Sequence, residues 1–220
     1  MIDAVIPIWK PVSWTSFDVV KKIRNQIKPV KVGHAGTLDP FAEGVLMLCA
    51  GKKTKSVELL MDKEKEYIAK IVLGYETDTL DLTGKIISSD ADIPKYNEKI
   101  ISDVLSKFKG NIMQEPPMFS ALKFNGKPLY KLARQGVIVK RKKRKVKIYD
   151  IELLGSTRKE ISIKVRCGRG TYIRSLALDI AKELGTVGYL QSLTRTRIGE
   201  YDENSCIKIK DFPKWLLSKT

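Results

Sequence analysis

Histidine is almost absent from this 220-residue sequence, where His34 stands alone. Cysteine is nearly as scarce: Cys49, Cys167 and Cys206 lie far apart and form no C-x-x-C pair. One imidazole and three scattered thiols are too few ligands for a zinc centre. They are also too few for a disulfide framework, so the thiols read as reduced and structural, in a cytosol-like compartment. Long apolar runs are missing as well. The longest, residues 45–50, falls far below the roughly 20 residues of a membrane span. The N-terminal segment lacks the charged and apolar regions of a signal peptide, and no phosphate-binding loop or dinucleotide fingerprint is present. These absences predict a soluble, cytoplasmic protein with no metal and no cofactor.

Positive charge is abundant. Lys and Arg total 41 against 25 Asp and Glu, a formal net charge of +16. Such an excess creates a field that attracts polyanions, with nucleic acid the first candidate and an anionic membrane surface the second. The apolar content of 43% is enough for one well-buried core.

Periodicity supplies the elements. Residues 5–9 read as a short strand, and Ser16 as the cap of a helix reaching about Ile27, with Val19, Ile23 and Ile27 on one face. Residues 45–50 read as a buried strand or a short apolar segment, 53–61 as helical, 67–73 as a strand, and the Asp78, Asp81, Gly84 cluster as a turn. Residues 98–108 form an amphipathic helix. Ile161, Ile163, Val165 and Cys167 alternate with polar residues, the period of a half-buried strand. Ile173, Leu176, Ile180 and Leu184 mark a helix ending at Gly185. Strands interrupted by isolated helices predict an α+β fold on a mixed or antiparallel central sheet flanked by helices. No repeat, linker or second folding unit is visible, so residues 1–220 read as one domain. Within it, residues 114–145 differ. They hold Pro116-Pro117, an Asn125-Gly126 turn, and six consecutive basic residues from Lys140 to Lys145. Adjacent like charges repel and resist burial, which predicts a protruding, mobile insertion.

The densest segment is Lys31-Val32-Gly33-His34-Ala35-Gly36-Thr37-Leu38-Asp39-Pro40. Its glycines let the backbone bend and approach a ligand, and His34 and Asp39 project from one tight loop. Spacing alone leaves two readings level: a reactive carboxylate, or a surface turn that Asp39 caps.

This segment resembles the signature motif of the bacterial tRNA pseudouridine synthase B family, the tRNA pseudouridine-55 synthases. The resemblance implies the pseudouridine synthase fold, Asp39 as the catalytic nucleophile, and His34 as a contact to RNA near the flipped nucleotide. Four further segments match the family's motifs in order. Lys10-Pro11 with Thr15-Ser16 is similar to its N-terminal structural motif. Lys65-Glu66-Tyr67 resembles the motif whose tyrosine stacks on the target base, which implies that role for Tyr67. Gly170-Thr171-Tyr172-Ile173-Arg174 resembles the motif supplying a substrate-contacting tyrosine, here Tyr172, and an arginine paired with the catalytic aspartate, here Arg174. Leu193-Thr194-Arg195-Thr196 resembles a motif whose leucine lines the pocket, here Leu193. Taken without the family, Tyr67 and Leu193 are ordinary core residues, Tyr172 caps a bend, and Arg174 lies off the apolar stripe of its helix.

The basic insertion resembles the family's thumb, which grips the T arm of tRNA, and so implies RNA contacts from Lys123, Arg134, Lys140, Arg141, Lys142, Lys143, Arg144 and Lys145. A solvated loop or a nuclear localisation signal are the plainer readings of the same run. The resemblance implies an isomerase of T-loop uridine acting as a monomer, in a short form without the C-terminal PUA-type domain of many relatives. Two alternatives stand beside it: a guide-RNA-dependent pseudouridine synthase and a non-catalytic tRNA chaperone.

Overall fold

The computed structural model describes residues 2–218. Along the chain run β1 (Val5–Lys10), α1 (Ser16–Gln26), β2 (Val32–Ala35), β3 (Glu43–Ala50), α2 (Val57–Asp62), β4 (Lys65–Leu73), β5 (Tyr75–Thr77), β6 (Ile86–Ser89), α3 (Glu98–Ser106) and β7 (Gly110–Gln114). There follow β8 (Lys123–Phe124), β9 (Lys127–Pro128), α4 (Leu129–Ala133), β10 (Arg144–Ser156), β11 (Glu160–Cys167), α5 (Ile173–Glu183), β12 (Gly188–Ile198), β13 (Tyr201–Asp202), β14 (Ile207–Lys208) and α6 (Phe212–Leu217). The chain divides into two compact units, Met1–Ile68 with Leu193–Thr220, and Ala69–Ser192. It passes from one to the other inside β4 and β12, so no linker composition marks the boundaries. No described helix is long and apolar enough to cross a membrane.

The first unit is built around a mixed sheet. Strand β3 pairs antiparallel with β1 (Pro7↔Met47) and with β2 (His34↔Leu48), and parallel with β12 (Arg195↔Gly44), while β14 runs parallel to β1. Covered on both faces, β3 is buried from Gly44 to Ala50, and its sequence is accordingly a continuous apolar run rather than an alternating one. On one face Ile6, Ile8, Leu46 and Leu48 pack against Val19, Val20 and Ile23 of α1 and Phe212 of α6. On the other, Val45, Met47 and Cys49 pack against Ala35, Leu60 of α2 and Ile198.

Helix α1 corrects one expectation. Its cap is Thr15, which forms a capping box with Asp18: the Asp18 amide donates to the Thr15 hydroxyl at 3.0 Å, and the Thr15 amide donates to the Asp18 carboxylate at 3.0 Å. Ser16, expected as the cap, is the first helical residue and is buried at 2% exposure.

In the second unit β10 pairs antiparallel with β11 and with β7. Strand β11 buries Ile161, Ile163, Val165 and Cys167 and leaves the residues between them half exposed, as the period-two pattern requires. Helix α3 packs on β10. Helix α5 ends where Gly185, with φ +81°, closes a Schellman turn: the Thr186 amide donates to Ala181 O and the Gly185 amide to Lys182 O. The basic segment is not irregular throughout. Arg144 and Lys145 open β10, opposite Gln114 and Met113 of β7, so only the charges from Lys140 to Lys143 precede regular structure.

Candidate active site

In the first unit the loop from Gly36 to Pro40 leaves β2 and carries Asp39, which is half-buried. Three buried polar side chains hold this loop. The Ser16 hydroxyl accepts from the Leu38 amide at 2.9 Å and donates to the Leu38 carbonyl at 3.2 Å, satisfying both main-chain groups of the residue before Asp39. The Arg195 guanidinium donates to Gly36 O at 3.2 Å and Thr37 O at 3.4 Å. The Lys10 ammonium donates to Trp14 O at 2.6 Å, Pro11 O at 2.9 Å and Pro40 O at 3.4 Å. The Ser13 amide adds a bond to Pro40 O at 2.8 Å.

Two of those side chains are charged, and both are almost fully enclosed, Lys10 at 0% and Arg195 at 1% exposure. Burial pushes the Lys10 ammonium down to about 8, the charge of Asp39 opposes that shift, and Arg195 adds to it. Asp39 therefore sits within electrostatic reach of a caged cation. His34, on β2, is held below the ordinary imidazole range by burial and by the charge of Arg195, and its Nδ1 is buried without a hydrogen-bond partner. A neutral imidazole with an unsatisfied ring nitrogen suits hydrogen bonding to an incoming ligand.

Tyr67 is 8% exposed on β4, on the side of the strand shared by Lys65. Lys65 is itself caged, donating to Met61 O and to Lys63 O at 2.6 Å. Glu66, pointing the other way, accepts from the Thr196 hydroxyl at 2.9 Å and lies 3.4 Å from Arg197. Lys65 and Glu66 are thus fixed by hydrogen bonds on either side of the buried Tyr67 strand. Leu193, 5% exposed, belongs to the same unit.

The second unit holds Tyr172 and Arg174. Tyr172 precedes α5, and its main chain is gripped by one side chain: Gln114 Oε1 accepts from the Tyr172 amide at 2.8 Å, and Gln114 Nε2 donates to the Tyr172 carbonyl at 3.1 Å. Arg174 lies off the apolar stripe yet is 4% exposed. It donates to Thr79 O and Phe119 O, each at 2.8 Å, and lies 3.5 Å from Asp81. Asp81 is oriented in turn by the Thr79 hydroxyl at 2.8 Å and the Thr83 amide at 2.9 Å. Sequence reasoning saw Asp81 only as part of a turn and gave Gln114 no role. The flanking Thr79 and Thr83, able to hold a buried carboxylate, were the available signal for Asp81, whereas nothing local marks Gln114.

The basic residues sort by exposure. Lys123, Lys140, Lys142, Lys143, Arg144 and Lys145 are exposed, and Arg134, also exposed, lies over the Tyr130 ring at 5.5 Å. Arg141 is ion-paired with Glu115 and less accessible. Among the described residues no group of three or more His, Cys, Asp or Glu is placed to hold a metal ion.

Residues 23–173 match the model of the TruB family pseudouridylate synthase N-terminal domain. The chain is 48% identical over 200 residues to a protein named tRNA pseudouridine synthase B from Francisella philomiragia subsp. philomiragia, covering 91% of this chain and 66% of that protein. It is 46% identical over 209 residues to the protein of the same name from Francisella tularensis subsp. tularensis, covering 95% and 69%. The chain thus spans about two thirds of the length of these relatives. Among solved structures, a Cbf5-Nop10-Gar1 complex contains a chain similar to this one with TM-score 0.72 and 31% identity, over 98% of this chain and 56% of that one. An H/ACA RNP bound to a substrate RNA containing 2'-deoxyuridine gives TM-score 0.69 and 29% identity, over 98% and 55%.

Proposed function

Because the chain belongs to the TruB family of pseudouridylate synthases, we propose that it isomerises the T-loop uridine of tRNA, position 55, to pseudouridine, with Asp39 as the catalytic carboxylate. The observation that carries this reading is the Asp39 loop. Three buried side chains fix its amides and carbonyls while Asp39 itself stays half exposed. A rigid mount under an accessible carboxylate is what an oriented nucleophile needs.

The reaction breaks the bond from ribose C1′ to N1, turns the uracil, and joins C1′ to C5. The C5 proton leaves and N1 gains one, so atoms and charge balance without a redox partner or a cofactor. The uridine must leave the RNA stack, at a cost of roughly a few kcal/mol. Stacking on the Tyr67 ring returns roughly 1–3 kcal/mol, and Tyr67 also serves the late proton transfer from C5. Arg174 takes the role that its motif carries in the family, that of the arginine paired with the catalytic carboxylate. His34, Tyr172 and Leu193 line the bound nucleotide. Lys123, Arg134 and the basic run from Lys140 to Lys145 hold the phosphates of the T arm. The protein acts as a monomer in the cytoplasm.

Similarity to the chain of the Cbf5-Nop10-Gar1 complex keeps a guide-dependent reading in view. The higher identity to the tRNA enzymes favours the stand-alone one. One experiment separates them. Pure protein is incubated with an unmodified tRNA transcript, no other RNA is added, and pseudouridine is mapped at every uridine. Product at the T-loop uridine alone is expected; no product without a guide RNA would refute the reading. The Asp39→Asn variant is expected to bind the transcript within about threefold of wild type, since it removes a reacting group and not a binding one.

A further inference from the structure

Arg195 presents a physical puzzle. A guanidinium at 1% exposure, on β12, makes its hydrogen bonds to main-chain carbonyls: Nε donates to Val45 O at 2.7 Å, and the terminal nitrogens to Gly36 O and Thr37 O. Burying a charge this deeply carries a large desolvation penalty, and a well-packed apolar side chain often serves stability as well or better. The compensation lies in what the three acceptors bracket. Gly36 and Thr37 precede Asp39 by three and two residues, and Val45 follows it by six. One planar group therefore ties the entry of the catalytic loop to the strand that follows its exit.

The fold makes room for this clamp. Gly44, with φ +118°, pairs with Arg195 in parallel register, and a Cβ there would stand 2.2 Å from the Arg195 carbonyl oxygen. Only glycine lets β3 come so close. A lysine here would replace three donor nitrogens fixed in one plane by a single rotating ammonium on a flexible stem, and so would not hold the same three carbonyls in register.

We propose that Arg195 is a positioning residue for Asp39, its guanidinium locking the Gly36-to-Pro40 loop onto β3 so that the carboxylate is held in reacting geometry. The inference rests on the reading of Asp39 as the catalytic group. It adds an electrostatic consequence: burial favours the neutral imidazole of His34, and the same Arg195 charge adds to that. The other charges felt around this loop are the caged Lys10 with Asp39, Glu43 and Asp18.

The test compares Arg195→Met and Arg195→Lys with wild type in the full chain. Single-turnover rate on unmodified tRNA and the Kd for the same RNA are measured, and the His34 ring is titrated by NMR, a clean readout because it is the only histidine. A misplacement of the order of 1 Å lowers rate about 100-fold. A loss of that size, with Kd within about threefold of wild type, is expected for both variants. Arg195→Lys keeps a charge and so keeps His34 titrating low; in Arg195→Met the titration moves up toward the ordinary imidazole value. A folded Arg195→Met protein with wild-type single-turnover rate and an unmoved His34 titration overturns the inference. If Arg195→Met does not fold, Arg195→Lys decides: full rate refutes the clamp, and reduced rate at unchanged Kd supports it. An Asp39→Asn control separates the two levels, since turnover by that variant sinks the catalytic assignment itself.

Discussion

Each unit of the molecule mounts its motif residues by the same device, built from different parts. In the first, the Ser16 hydroxyl satisfies both main-chain groups of Leu38, next to Asp39. In the second, the Gln114 amide satisfies both main-chain groups of Tyr172, two residues before Arg174. Cations are treated alike too: Lys10 and Arg195 in one unit and Arg174 in the other are caged by carbonyls. The units differ in what remains outside. The second holds 24 Lys and Arg against 13 Asp and Glu, a net +11 of the chain's +16, and displays most of its basic segment to solvent. Buried positive charge fixes geometry; exposed positive charge attracts polyanions. The two kinds should fail differently when removed.

The largest effect falls on chemistry. Asp39→Asn should bring turnover below detection while leaving RNA affinity nearly intact, as a single-turnover assay beside a binding assay will show. Asp81→Ala comes next. It takes a carboxylate from the buried Arg174 at 3.5 Å and should destabilise the protein by about 3 kcal/mol in denaturant unfolding. The matched pair Ser16→Ala and Gln114→Ala sharpens the comparison directly. Each leaves one donor and one acceptor of a motif loop without its side-chain partner, at a cost of about 1–3 kcal/mol. Both should lower the catalytic rate more than RNA affinity, and equal loss of rate and affinity would break the analogy between the two mounts.

Exposed charge answers to salt. Replacing Lys140, Lys142, Arg144 and Lys145 together by glutamine should weaken tRNA binding and flatten its dependence on log salt concentration, by about 0.7–0.9 for each lost phosphate contact. Stability and single-turnover rate at saturation should hardly change. The mildest test needs only pH. Lys10 titrates at about 8 in the folded protein against an ordinary 10.5, so the unfolded chain binds more protons between those values and stability rises with pH across that window. The same contribution is lost as pH falls through about 8. Lys10→Met should flatten this slope in unfolding curves measured from pH 7.5 to 10.5.

Much of the fold was legible because apolar periodicity reports burial locally. The alternation of β11, the stripe of α5 with its Gly185 stop, and the unbroken apolar run of β3 all read as they stand. The cap of α1 was misplaced by one residue, because Thr15 and Ser16 are chemically equivalent candidates. Only the tertiary position of Ser16, turned inward to Leu38, separates them. In the candidate site, the segment carrying His34 and Asp39 stood out as a dense glycine-rich motif, but it is not one loop: hydrogen bonding to β3 makes its start a strand, with His34 on β2 and only Asp39 in the loop that follows. Gln114 and Asp81 did not stand out.

What the sequence determined by itself was the strongly patterned elements, among them β3, β11 and α5, together with the excess of positive charge and the loop from which a carboxylate projects. Which cations would be buried was decided only in three dimensions. Lys10 and Arg174 look like solvent-facing charges in their segments, and so does Arg195, which finds its acceptors 150 to 159 residues away. A hydrophobic side chain can be buried by any apolar neighbour, but a buried guanidinium needs carbonyls that converge on it, and those of Arg174 and Arg195 come from 55 to 159 residues away. No local pattern can encode that convergence.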